Sequence, residues 1–150
     1  MSDLALAWCA GFFDGEGHIA IADSPGTHNT ALMITVVQRT KEPLPIFQKA
    51  FGGAISFRTL PPSPGTIARR PLWKWQISTA AAERFLRAVL PYLQNKRDEA
   101  LLALAYRATY VPQYTVGKPR FLPANLVIQR KTFAVEMKAL RVHKKELAYV

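Results

Sequence analysis

Four short stretches of this chain alternate apolar and polar residues, and the segments between them carry helical periodicity or turn residues. Along His18-Ile-Ala-Ile-Ala22, Ile19 and Ile21 fall on one face, as in a half-buried strand. Ala31 to Val37 repeats the pattern with Leu32, Ile34 and Val36 inward. A third strand is expected over Ile55–Arg58, with Ile55 and Phe57 inward, and a fourth over Trp73–Ser78, with Trp73, Trp75 and Ile77 inward. Helices are predicted over Leu4–Phe13 with Asp3 as its cap, over Pro43–Phe51 closing at Gly52-Gly53, and over AAAERFLRAVL behind a Thr79 cap. Two more are expected at Asn95–Tyr110 and from Asn125 to about Leu147. Ser24-Pro-Gly-Thr reads as a turn, and Leu60–Pro71 and Val111–Pro123 as proline-bearing connectors.

The order is helix, two strands, helix, two strands, then helices. Four strands with the helices on one face predict an α+β fold. The chain has 150 residues, enough for one domain with its own core. The core is expected over about residues 3–110, with a connector at 111–123 and a C-terminal helix at about 125–147. No run approaches the length of a membrane span. The first residues lack the basic segment of a signal peptide. A soluble intracellular protein is expected, cytoplasmic in a prokaryote and organellar in a eukaryote. Cys9 is the one cysteine, so no internal disulfide is possible, and no zinc-ligand spacing occurs.

Charge changes the picture. Twenty Lys and Arg against ten Asp and Glu give a net charge of +10, which favours a polyanion as partner. The first 38 residues contain no Lys or Arg at all, yet they include Asp3, Asp14, Glu16 and Asp23. Asp14 and Glu16 follow an apolar helix, where the negative end of the helix dipole disfavours an acid by about 0.3–1 kcal/mol. Either they are solvated surface or a cation lies between them and a phosphate. Mg²⁺ takes oxygen ligands, bridges carboxylates to phosphates and activates water. Asp-Gly-Glu-Gly does not fit an EF-hand, because no Asp or Asn follows at the fifth position. Nor does it fit a dinucleotide fingerprint, which follows a strand and not a helix.

The stretch Cys9-Ala-Gly-Phe-Phe-Asp-Gly-Glu-Gly17 resembles the LAGLIDADG motif of homing endonucleases, with seven of nine positions matching in identity or close type. The resemblance extends to the element order, an αββαββα core with an antiparallel saddle-shaped sheet. It implies that Glu16 is the metal-binding catalytic acid, with the Gly15 backbone carbonyl as a further ligand and Mg²⁺ as the metal; Mn²⁺ or Ca²⁺ substitutes in binding. Val37-Gln-Arg-Thr40 is similar to a family segment whose glutamine organises solvent, which nominates Gln38. Pro91-Tyr-Leu-Gln-Asn-Lys96 is similar to one carrying a lysine, which nominates Lys96 to polarise phosphate or water. A single motif implies a homodimer paired through the first helix, with Ala7, Trp8, Ala10, Gly11, Asp14 and Gly15 at the interface and Asp14 more structural than catalytic.

The implied activity is metal-dependent cleavage of both DNA strands at a long pseudo-palindromic site, by an intron-encoded enzyme. The polar face of the sheet is then the reading surface. Its candidates are His18, Asn29, Thr35, Arg39, Ser56, Arg58, Lys74 and Gln76, with Arg69 and Arg70 from the long loop and Lys131 and Lys138 from the last helix. Trp73 and Trp75 alternate with polar residues, which favours core packing over base stacking. A non-cleaving protein on the same fold, either an intron-RNA maturase or a DNA-binding regulator, is the alternative.

Overall fold

The computed structural model describes residues 1–23, 30–60, 70–110 and 123–147, and its elements follow the predicted order. Helix α1 (Asp3–Glu16) leads into strands β1 (Gly17–Asp23) and β2 (Thr30–Gln38), then helix α2 (Leu44–Phe51). Strands β3 (Ala54–Leu60) and β4 (Arg70–Ser78) follow, then helix α3 (Thr79–Val89), a 3₁₀ turn at Leu90–Tyr92, and helices α4 (Arg97–Ala108) and α5 (Ala124–Leu147). The two hairpins join through β2 and β4 into one antiparallel sheet of order β1-β2-β4-β3. This is the α+β arrangement expected from the hydrophobic pattern.

The alternation places the core. Ile19, Ile21, Leu32, Ile34, Val36, Trp75 and Ile77 are buried on one sheet face. Cys9, Ala10 and Phe13 of α1, Leu44 and Phe47 of α2, and Phe85, Leu86 and Val89 of α3 close over them. Phe47, Trp75 and Phe85 form an aromatic centre with ring centroids 5.0–6.2 Å apart. The Trp75 indole N–H donates to the Gly52 carbonyl at 2.8 Å, so its one polar atom is satisfied inside the core. Gly53 lies at φ +89°, and a Cβ there would meet the Gln76 carbonyl at 2.5 Å, so the exit from α2 requires glycine.

Three local expectations are corrected. Ser2, not Asp3, is the N-cap of α1, accepting from the Ala5 N–H, while Asp3 lies in the first turn. Ser78 holds the cap position of α3, and Thr79 is the first residue of the helix, at φ 51°. Phe57 follows the inward parity of β3 yet is 53% exposed. It lies on the edge strand and packs on Trp73, centroids 4.7 Å apart.

The last two helices run antiparallel and are bolted at both ends. Arg130 of α5 donates to the Thr109 hydroxyl and carbonyl just past the C-terminus of α4, where a cation is favoured by the dipole. Arg141 reaches Glu99 at the other end of α4. Tyr106 of α4 bonds the Thr30 carbonyl at 2.6 Å, tying this pair of helices to the start of β2. Among the described residues no helix is long and apolar enough to cross a membrane.

Candidate active site

The acid-bearing end of α1 is built by one tight junction. Glu16 is the last helical residue and Gly17 the first of β1. The Gly17 N–H donates to the Phe13 carbonyl, and a Cβ on Gly17 would lie 2.1 Å from the buried Phe13 ring. The chain turns closely against its own core there, and Glu16 is left exposed at the point where helix becomes strand. The β1–β2 ladder ends at Gly17 opposite Val36, so Gln38 lies just past it at the end of β2, half-buried. Gln38 has the parity of Val36 and so belongs to the helix side of the sheet.

Lys96 arrives at the same junction from 82 residues away. The Asp14 carboxylate accepts three backbone N–H bonds from the turn before α4: Oδ2 from Gln94 at 2.6 Å and Asn95 at 3.0 Å, Oδ1 from Lys96 at 2.9 Å. The Lys96 ammonium in turn donates to the Asp14 carbonyl oxygen. No base lies near these acids in sequence; the fold brings Lys96, nominated by the family resemblance, to the negative end of α1, where a cation is favoured. No sequence signal marks this contact, because its partners lie on different elements.

Glu16, the Gly15 carbonyl and surrounding water are hard oxygen donors of the kind Mg²⁺ takes. Among the described residues there is no group of three or more His, Cys, Asp or Glu side chains positioned to hold a metal. Among the described residues one chain thus supplies a partial oxygen set of the kind a divalent ion takes, not a closed structural site. Cys9 is buried in the core, and burial pushes its thiol above the ordinary range, as expected of a packing residue and not a nucleophile.

One face of α1 is apolar and uncovered. Leu4 is 83% exposed and Trp8 42%, Ala7 is half-buried, and Gly11 and Gly15 are exposed. A Cβ built on either glycine meets nothing within 4 Å among the described residues, so their packing requires glycine at neither position. Ala10, expected on this face, is fully buried. It stands one residue from Gly11 and so about 100° around the helix, on the core side. The Asp14 side chain is half-buried and engaged by the 94–96 turn.

The outer sheet face carries rows of polar side chains fixed by register. His18, Thr35 and Gln76 align across β1, β2 and β4, and Lys74 aligns with Ser56 in the next row. Arg58 follows Ser56 on the same face of β3 and is exposed, as is Arg39 just beyond β2. The Lys74 ammonium donates to Gln76 Oε1 at 2.8 Å, linking the two rows. Trp73 is half-buried beneath the Lys41 ammonium, and Trp75 is core, so neither forms an open stacking platform. Asn29 and Arg69 lie outside the described residues, as does the side chain of Arg70.

Helix α5 extends this face past β1. A groove of about 310 Å³ runs between them, lined by His18, Ala20 and Ala22 on one side and Ala134, Met137, Lys138 and Arg141 on the other. Partial burial in the groove and the Arg141 charge hold the His18 imidazole below its ordinary pKa; Glu99 opposes this and Lys96 adds to it. Lys131 and Lys138 are exposed on α5. Arg141, which shares their spacing, is instead committed to Glu99.

No family model and no curated protein matches the chain. Solved structures do. The homing endonuclease I-CvuI, crystallised in complex with its target in the presence of 2 mM Ca, superposes with a TM-score of 0.67 at 23% identity, over 91% of this chain and 82% of that one. The same endonuclease with the I-CreI target and 2 mM Mg, its DNA not cleaved, gives a TM-score of 0.58 at 24% identity, over 87% of this chain and 94% of that one. The fold is therefore the homing-endonuclease fold expected from the motif at Cys9–Gly17.

Proposed function

We propose that this protein is one subunit of a homodimeric, Mg²⁺-dependent, sequence-specific DNA endonuclease of the LAGLIDADG type, encoded within an intron. The observation that carries this reading is the convergence at the end of α1. An exposed carboxylate, Glu16, stands within two residues of the Asp14 carbonyl that the Lys96 ammonium holds, and beside the end of β2 that carries Gln38. An acid, an amide and a lysine brought together from three separate elements form a hydrolytic set. A solvated surface has no reason to assemble them.

The remaining features follow from that reading. The uncovered apolar face of α1 is where a second copy docks about a two-fold axis, with Gly11 and Gly15 allowing the two backbones to approach. Docking brings the second Glu16 to the first, completing the oxygen set that one chain leaves partial. When bound there, Mg²⁺ supplies Lewis-acid stabilisation of phosphate charge and a more acidic water. Gln38 orients the attacking water by hydrogen bonding. Lys96 places its positive charge beside the phosphate as negative charge builds on its oxygens. Water adds in line to phosphorus and gives up a proton, one P–O ester bond breaks, the leaving oxygen takes up a proton from solvent, and the paired subunits cut one strand each.

DNA lies along the outer sheet face. Thr35, Ser56, Arg58, Lys74 and Gln76 reach base edges, with arginine suited to guanine and glutamine to adenine. His18, Arg39, Lys131 and Lys138 hold backbone phosphates at the margins. Two copies double the net charge, so the complex forms with strong salt dependence. The test is cleavage of a randomised duplex library, with and without Mg²⁺. Selection of a long pseudo-palindrome supports the reading, and binding without cleavage under any divalent ion supports the maturase or regulator alternative instead.

A further inference from the structure

We infer that Asp14 is a positioning residue for Lys96, so that the first motif acid acts in cleavage through the second element it grips. This rests on the endonuclease reading above. A residue serving only to pack α1 needs no carboxylate. Asp14 uses both oxygens, and all three of its backbone donors belong to consecutive residues, Gln94, Asn95 and Lys96. Three N–H groups converging on one anion form a rigid nest of charge-assisted bonds, roughly twice as strong as neutral ones.

The geometry has a direction. Lys96 is the cap residue of α4, so its backbone N–H belongs to the turn that starts that helix. The same residue is held twice by Asp14, its backbone N–H by the carboxylate and its ammonium by the carbonyl. A lysine side chain has four rotatable bonds, and its ammonium is worth most where those are restrained. Gripping the root and the tip of one lysine from a single residue fixes the ammonium two residues from Glu16. Asp14 and Glu16 thus divide the work: one carboxylate is left in solvent to meet the substrate, and the other is consumed in placing the cation that accompanies it.

The side-chain grip is separable from the carbonyl bond. Asp14→Asn keeps the size of the residue and one acceptor oxygen but loses the charge and the second acceptor. Gln94→Pro removes one of the three donors without touching Asp14, and Leu93, at ψ 136°, is already in the extended conformation a following proline requires.

The experiment is a double-mutant cycle on single-turnover cleavage of the library-selected target, using the full chain with Mg²⁺. Asp14→Asn alone is expected to slow cleavage ~100-fold, the scale of a misplaced catalytic group, while DNA affinity stays within twofold. In the Lys96→Ala background, Asp14→Asn is expected to cost less than a further twofold. Gln94→Pro is expected to give a smaller loss that also disappears in that background. Amide exchange at residues 94–96 is expected to quicken in Asp14→Asn, while the core strands keep their protection. Losses that multiply across the cycle, or a loss in DNA affinity equal to the loss in rate, overturn the inference and leave the endonuclease reading standing. A wild-type chain that cuts no duplex overturns both. If Asp14→Asn does not fold, the cycle run with Gln94→Pro and Lys96→Ala decides by the same criterion.

Discussion

Arg141 Nε lies 3.3 Å from Glu99 Oε2, joining the C-terminal part of α5 to the first turn of α4. The Glu99 residue is only 6% exposed, and Arg141 Nη2 is buried with no hydrogen-bond partner among the described residues. The pair therefore costs desolvation and recovers it incompletely. Arg141→Ala takes a charged partner from a buried carboxylate and is expected to lower stability by about 3 kcal/mol, read from urea unfolding. Replacing both partners by apolar residues, Arg141→Met with Glu99→Leu, is expected to restore most of that loss. Equal losses in the single and double variants would show that the ion pair is not what makes the site sensitive.

Glu83 gives an acid-side prediction. It accepts from Arg87 in its own helix at 3.0 Å and from Arg107 of α4 at 3.1 Å. Partial burial raises the Glu83 pKa, but the two arginine hydrogen bonds outweigh it and hold the carboxyl below the ordinary range. A carboxyl whose folded pKa is depressed contributes stability above its unfolded pKa, and that contribution is lost as pH falls through the folded value. Glu83→Gln is expected to be less stable than the parent at pH 7 by about 1 kcal/mol, with the difference shrinking to nothing in strong acid. A difference that stays constant from pH 7 downward contradicts this.

Gly11 and Gly15 separate folding from assembly. A Cβ at either meets nothing within 4 Å among the described residues, and glycine inside a helix, as at Gly11, costs about 1 kcal/mol relative to alanine. Gly11→Ala and Gly15→Ala are each expected to raise the stability of the subunit while weakening the dimer, seen by sedimentation over a range of concentration. Unchanged self-association in both variants removes α1 as the docking face.

The margins of the DNA surface are expected to act through charge alone. Lys131→Ala and Lys138→Ala should each weaken binding by a similar factor on matched and mismatched duplexes and lower the slope of log affinity against log salt by about one. Arg58→Ala should instead relax preference at one position of each half-site. A salt slope that ignores both lysines places the DNA elsewhere.

Much of the layout was legible because burial is periodic. Leu32, Ile34 and Val36 are buried in strict alternation, and that alternation alone assigns Thr35 to the outer face. Phe57 broke the rule because the pattern records parity and not coverage, and on the edge strand its side chain stays 53% exposed. Ala10 is buried and not on the open face, because one residue from Gly11 is about 100° around the helix axis. The grip of Asp14 on the 94–96 turn was invisible, since nothing local to either segment specifies a contact across some eighty residues. The same holds for the contact of Arg141 with Glu99, 42 residues apart in the chain.

The measurement that bears most directly on the proposed chemistry is cleavage by Glu16→Gln on the library-selected duplex with Mg²⁺, run beside a binding assay at the same fixed salt. Glu16 is exposed, so the substitution leaves the core intact. Cleavage is expected to fall below detection while DNA affinity holds within a few-fold. A Glu16→Gln protein that still cuts at a rate near that of the parent contradicts the assignment of this carboxylate, and with it the catalytic reading of the whole junction.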